Sequence, residues 1–390
     1  MKMRKTVCLL CSLLTCFALF SDSVSAAPET RTLRVFNWGE YISDGSDGSM
    51  DVIQEFTRRT GIQVDYQVFS TNEEMYAKII SGSADYDVLI PSDYMIGKMI
   101  DEGLLAKLDF SNIPNYRYVD DAFKNLEYDP TNEYSVPYTW GTVGIIYNKT
   151  KVTEPVDSWD ILWDSNYAGQ ILMFNNPRDS YGIALKKLGY SQNTTNRDEL
   201  DQATDELKKQ KLLIQAYVMD EIFPKMTAGE AALAPYYAGD AVTMIGDNPD
   251  LDFVVPKEGT NRFVDAMVVP KSSPNKDLAE QFINFMLEED VALANIEYIG
   301  YSTPMSNVKA RLDEEVQNSF SYPDDEVLSR CETFVNLDEE TTAYLQDSWT
   351  GVLSYGDSSI GDILFLAVFF LFLIGIFIYF TVKKHRNHTI

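Results

Sequence analysis

Histidine is nearly absent from this sequence. The 390-residue chain holds two, His385 and His388, both in its last six residues. Everything before them lacks a His-based triad, a His metal ligand or a His general base. No G-x-S-x-G turn occurs, which removes the usual serine-hydrolase elbow. Cysteine is scarce as well. Cys8, Cys11 and Cys16 fall in the N-terminal stretch, leaving Cys331 alone in the remainder. A mature chain with one cysteine forms no intrachain disulfide, so its stability must come from core burial. Basic residues are few: 32 Lys and Arg stand against 59 Asp and Glu, a net charge of −27. That balance excludes nucleic acid as a partner, because phosphate binding needs a basic surface. It leaves two readings, a surface that is acidic for solubility or a cationic ligand. Hydrophobic residues at 45% exclude global disorder, and the length fits about two globular units.

Long apolar runs are confined to the two ends. Lys2, Arg4 and Lys5 precede the run Val7 to Phe20 and the small residues of Val24-Ser25-Ala26. This is the pattern of a signal peptide over 1–26, cleaved after Ala26. Leu13-Leu14-Thr15-Cys16 offers a lipidation site as an alternative, with Thr poorly suited to the place before Cys. The second run, Ile363 to Val382, has no charge over 20 residues. At 1.5 Å per residue it spans about 30 Å, the hydrocarbon core of a bilayer. Lys383, Lys384 and Arg386 follow, which places the tail 383–390 in the cytoplasm and the rest outside. Both ends are net positive, so the exported part is more acidic than the whole.

Between these ends the pattern alternates. Strands are expected at 32–36, 62–68 and 87–90, with helices at 49–60, 72–80 and 94–102. Ser49 and Asn72 are the expected N-caps, and Gly61, Gly82 and Gly103 the stops. Strand–helix alternation implies a doubly wound, mostly parallel sheet. A second set follows, with strands at 170–174, 231–234, 251–255 and 263–269 and helices at 180–188, 199–211 and 277–287.

Polar and aromatic residues gather where these strands end. They form Asn37-Trp38-Gly39-Glu40-Tyr41, Pro91-Ser92-Asp93-Tyr94, Asn175-Asn176-Pro177-Arg178-Asp179 and Tyr236-Tyr237-Ala238-Gly239-Asp240. In open α/β sheets ligands bind beyond the carboxyl ends of strands. Carboxylates and rings together suit a protonated amine: the acids supply charge, and each ring about 0.5–2 kcal/mol of cation–π attraction. Singly, each ring reads as core and each acid as a cap or solvated turn. The recurrence at four strand ends favours one shared cleft.

Several segments carry a resemblance. They are Phe36-Asn37-Trp38-Gly39-Glu40-Tyr41, Asp85-Tyr86-Asp87-Val88-Leu89-Ile90-Pro91-Ser92 and Tyr134-Ser135-Val136-Pro137-Tyr138-Thr139-Trp140-Gly141. Ala184-Leu185-Lys186-Lys187-Leu188-Gly189-Tyr190-Ser191, Val255-Pro256-Lys257-Glu258-Gly259 and Ile299-Gly300-Tyr301-Ser302-Thr303-Pro304 follow in order. Over roughly 32–330 the chain resembles the solute-binding proteins of spermidine/putrescine ABC transporters. The resemblance implies an α/β, two-lobe periplasmic-binding-protein-like (type II) fold whose lobes close about crossing strands. Crossings are expected near 138–142, 263–265 and Lys309. Lobe 1 would comprise 27–140 and 265–309, and lobe 2 141–264 and 310–350, with a linker at 351–362 and one transmembrane helix at 363–382. Expected partners are a polyamine and the permease and ATPase of an ABC importer, with no cofactor and no metal.

Residue by residue, the resemblance assigns Trp38 and Tyr41 to a first aromatic pair flanking Glu40. Ser92 and Tyr94 match a serine and a tyrosine at the third strand end. Asp179 matches an acid that holds an amine, Asp265 an acid on a crossing strand, and Tyr301 a ring of the cleft wall. Tyr237 and Phe263 stand where the spermidine-binding type has tryptophans. Three positions depart: Asn176 replaces an aspartate, Asp93 brings a carboxylate where a neutral residue is usual, and a late glutamine has no counterpart near Phe334. Other organic cations therefore stay open beside spermidine and putrescine. An extracellular hydrolase using Asp179 and Asp265 as paired carboxylates is a second class. A membrane-anchored sensor is a third, although its tail would have only eight residues.

Overall fold

The computed structural model describes residues 31–356. The expected signal peptide at 1–26, the apolar run 363–382 and the tail 383–390 lie outside the described residues, as does the second half of the 351–362 linker. Among the described residues no helix is long and apolar enough to cross a membrane.

Strands β1 (Thr32–Trp38), β2 (Gln63–Phe69) and β3 (Val88–Leu89) alternate with helices α1 (Val52–Thr60), α2 (Asn72–Ser81) and α3 (Asp93–Asp101). The caps sit slightly off the expected positions. Asp51, not Ser49, caps α1 by accepting from the Gln54 N–H, and Thr71, not Asn72, caps α2 by accepting from the Glu74 N–H. Thr71 has the extended backbone that a cap needs (φ −143°, ψ 152°), whereas Asn72 is already helical.

Two strands join the lobes. β4 (Ser135–Asn148) and β9 (Arg262–Val268) run antiparallel, with Ser135 opposite Val268 and Thr142 opposite Arg262. Beyond Thr142, β4 leaves β9 and pairs with β7 (Leu233–Tyr237) and β8 (Leu251–Val254). The full order is β2-β1-β3-β9-β4-β7-β5-β6, with β5 (Ile171–Phe174) parallel to both β6 (Ile214–Val218) and β7. Parallel pairing therefore holds in the flanks, while the centre around β4 and β9 is antiparallel. Every residue of β4 except Tyr147 is buried, and glycine makes this close packing possible. A Cβ at Gly141 would lie 2.8 Å from the Phe263 ring, and one at Gly144 2.5 Å from the Val254 carbonyl.

The second lobe adds helices α4 (Pro177–Lys187), α5 (Arg197–Lys211) and α6 (Ala238–Asp247). Helices α7 (Lys276–Met286) and α8 (Glu289–Ile299) follow β9, and α9 (Glu339–Leu353) comes last. Several of these elements differ from the sequence expectation. The helix expected from Ser180 begins at Pro177, because Asn176 caps it and proline suits the first turn. Strand β6 and helices α6, α8 and α9 were not expected at all.

Candidate ligand-binding cleft

The ends of β1, β3, β5, β6 and β7 meet one face of β9. Side chains two apart share a strand face, so Asn261, Phe263 and Asp265 point together into the space between the lobes. Ten of the twelve expected residues line this cleft: Trp38, Tyr41, Ser92, Tyr94, Asn176, Asp179, Tyr237, Phe263, Asp265 and Tyr301. Its free volume is about 50 Å³, room for only a few waters at about 10–15 Å³ each.

Four carboxylates inside it are each held by one tyrosine hydroxyl. Tyr41 donates to Asp265 Oδ2 at 2.7 Å, and Tyr237 to Asp179 Oδ2 at 2.8 Å. Tyr301 donates to Asp240 Oδ2 and Tyr94 to Glu73 Oε1, both at 2.9 Å. Among the described residues, no Lys, Arg or His lines the cleft. Burial pushes all four acids up: Asp265 to about 6, Asp179 and Glu73 upward, and Asp240 well above its ordinary value. Hydroxyls of Tyr41 and Ser92 partly offset burial at Asp265, yet its Oδ1 has no hydrogen-bond partner. Ser92 is free to face that acid because its hydroxyl takes no part in capping α3.

The nearest cation is occupied elsewhere. Arg178 is buried behind the wall, donating to the Gln192 carbonyl at 2.9 Å and to Asn193 Oδ1 at 2.8 Å. Its guanidinium lies over the Phe334 ring at 4.2 Å, and burial lowers it to about 10. Beside the acids stand eight rings, from Trp38, Tyr41, Tyr94, Tyr236, Tyr237, Phe263, Tyr301 and Phe334. Tyr41 meets Tyr301 edge-on at 4.6 Å, and Tyr237 meets Phe263 at 5.5 Å. The arrangement is a narrow aromatic slot lined by buried carboxyls with no basic side chain among its described walls, which suits a thin cation with more than one charge.

Two expected residues stand apart. Glu40 is exposed and does not line the cleft, because its left-handed backbone (φ 49°) forms the turn between Trp38 and Tyr41. Asp93 is fully buried behind the wall. Its carboxylate accepts from the Val264 N–H at 3.1 Å and the Tyr94 N–H at 2.7 Å, pinning β9 to the start of α3. Burial raises it to about 8. Asn176 spends its amide on Asp179, giving Nδ2 to Oδ2 at 2.6 Å and accepting the Asp179 N–H at 2.9 Å.

Sequence reasoning left out Asn72, Glu73, Met219, Asp220, Asn261 and Phe334, all of which line the cleft. It noted Tyr236 and Asp240 at a strand end without placing them in the site. Asp220 follows β6, so the missed strand hid it. Its carboxylate reaches the cleft over Gly39, where a Cβ would lie 2.2 Å from Asp220 Oδ2.

The family profile described as bacterial extracellular solute-binding protein matches residues 51–323. This chain belongs to that family. As a solute-binding protein it is not an enzyme, which sets aside the hydrolase class. The spermidine/putrescine-binding periplasmic protein of Salmonella typhimurium is 35% identical over 325 residues, covering 83% of this chain and 92% of the relative. Among solved structures, a chain from Listeria monocytogenes superposes with a TM-score of 0.79 at 40% identity, covering 83% of this solute-binding protein and 99% of that chain. The spermidine/putrescine ABC transporter substrate-binding protein PotD from Streptococcus pneumoniae gives a TM-score of 0.70 at 40% identity, with the same coverage. The solute-binding protein thus has the two-lobe fold of these relatives.

Proposed function

We propose that this solute-binding protein captures a polyamine, spermidine or putrescine, by closing its two lobes, and delivers it to the permease and ATPase of an ABC importer. The observation that carries the reading is the set of four tyrosine-held carboxylates, buried together with no basic residue among the described cleft walls. An ammonium relieves the cost of burying those charges, and the rings flank the methylenes between ammonium groups. The names of the relatives support the same ligand class. The apolar run 363–382 with its basic flank supports a membrane tether that keeps the cleft outside the cell.

Thermal unfolding of the full-length chain tests the ligand class. Putrescine, spermidine and cadaverine are expected to stabilise it, by about 2.7 kcal/mol at 100 times Kd. Glucose and phosphate are expected to leave it unchanged. No shift with any diamine or triamine at millimolar concentration would defeat the reading.

A further inference from the structure

A second space adjoins the cleft. Its free volume is about 280 Å³, and Met95, Lys98, Arg178, Leu337, Leu345 and Thr342 are among its walls. Cavities of about 150 Å³ already hold a benzene ring. Glu73 and Tyr94 line both spaces, so these two side chains form the partition. The partition is acidic: the Glu73 carboxyl, bonded to the Tyr94 hydroxyl, is raised by burial and further by the nearby Asp179 charge.

Beyond the partition the sign of the charge reverses. Among the described residues, Glu73 is the sole carboxylate in the walls of the second space, and Lys98 and Arg178 stand behind it. Lys98 is engaged by Glu102 at 2.6 Å, and Arg178 by Gln192 and Asn193. A further ammonium placed there would meet the Arg178 guanidinium, which has only neutral partners, and a lysine already paired with Glu102. A neutral apolar group would meet Met95, Leu337 and Leu345 instead.

We propose that this chamber is a subsite for a neutral, apolar substituent on a terminal nitrogen of the bound polyamine, with Glu73 holding that nitrogen at the partition. The ligands then include N-substituted polyamines as well as the free amines. The inference rests on the polyamine reading of the cleft. It goes further by giving one end of the ligand a tail and a place for it.

Calorimetric titration of the full-length chain with putrescine and N-benzylputrescine tests it. Thr342 and Gln346 are exposed positions on α9 that line the chamber and not the cleft. Thr342→Trp and Gln346→Trp should each fill the chamber from outside the core. The expected result is wild-type binding of N-benzylputrescine within about tenfold of putrescine. Both variants should then lose about tenfold or more for N-benzylputrescine and stay within about threefold for putrescine, tenfold being about 1.4 kcal/mol. Wild-type protein that binds putrescine but rejects N-benzylputrescine would overturn the subsite, and so would tryptophan variants that treat the two ligands alike. Wild-type protein that binds neither amine would overturn the polyamine reading and the subsite with it.

Discussion

Asp265 gives one oxygen to the Tyr41 hydroxyl and leaves the other without a partner. Burial holds its carboxyl up at about 6, against an ordinary 3.8. The folded protein therefore holds this proton more tightly than the unfolded chain does. The stabilising contribution is complete below about pH 4 and is lost as pH rises through 6. At neutral pH the ionised group costs on the order of 3 kcal/mol, since each tenfold change in proton affinity is worth about 1.4 kcal/mol. Asp265→Asn should then stabilise the ligand-free protein at pH 7, with the gain fading toward pH 4. The same change should weaken putrescine binding at least ~30-fold, because an unpaired buried ammonium costs ~2–5 kcal/mol. Unfolding curves at the two pH values and a calorimetric titration check both halves. Equal stabilisation at pH 4 and pH 7 would assign the effect to packing, and unchanged affinity would remove Asp265 as an anchor. Asp179→Asn is the companion case. Asn176 already caps α4, and its bond to the Asp179 N–H survives the change. A loss of affinity there, expected at ~30-fold by the same charge argument, is a loss of charge rather than of a helix cap.

At the scale of elements, one glycine sets the geometry of a whole helix start. Gly239 is the second residue of α6, and a Cβ there would fall 2.1 Å from the Tyr301 ring. Gly246 lies in the same helix with nothing within 4 Å of its Cβ position. Helix propensity alone favours alanine over glycine by up to about 1 kcal/mol at either site. Gly246→Ala should therefore raise the unfolding temperature. Gly239→Ala should not, and it should weaken putrescine binding about tenfold or more by displacing Tyr301 from Asp240. A stabilised Gly239→Ala protein with wild-type affinity would show that Tyr301 has no part in holding the ligand. The same elements explain what the sequence revealed. Strand ends marked by Trp38, Ser92, Asn176 and Tyr237 were legible because alternation and turn residues announce where a strand stops, whereas Phe263, at the start of β9, came from the family resemblance alone. Strand β6 was not, since the chain passes from Lys211, the end of α5, through Leu212 and Leu213 to Ile214 with no Gly or Pro between. Glu73 was hidden because it reaches the cleft from a helix, in the first turn of α2. Asp93 was indistinguishable from its neighbours Ser92 and Tyr94, because only the packed structure shows its carboxylate turned toward the backbone of β9.

For the whole molecule, access governs how ligand is captured. The cleft as it stands has about 50 Å³ of free volume, too little for a diamine to enter without movement. Between the lobes run β4 and β9, and a contact in which Asn336 Nδ2 donates to Asp101 Oδ2 at 3.2 Å. That bond ties the end of α3 to the segment just before α9, and both side chains are exposed. If ligand enters only after the lobes part, opening limits capture at high concentration. Trp38 lines the cleft and can report its filling by fluorescence. In stopped-flow mixing, the observed rate should climb with putrescine and then level off at the opening rate. Asp101→Ala removes one exposed hydrogen bond, a stabilisation of ~0.5–1.5 kcal/mol. It should raise the plateau between about two- and tenfold and weaken equilibrium binding by no more than that, since the bond holds the closed form alone. A rate that rises linearly to the mixing limit would mean that the cleft admits ligand without opening. A plateau that ignores Asp101→Ala would leave β4 and β9 as the barrier and the Asn336 contact as surface packing.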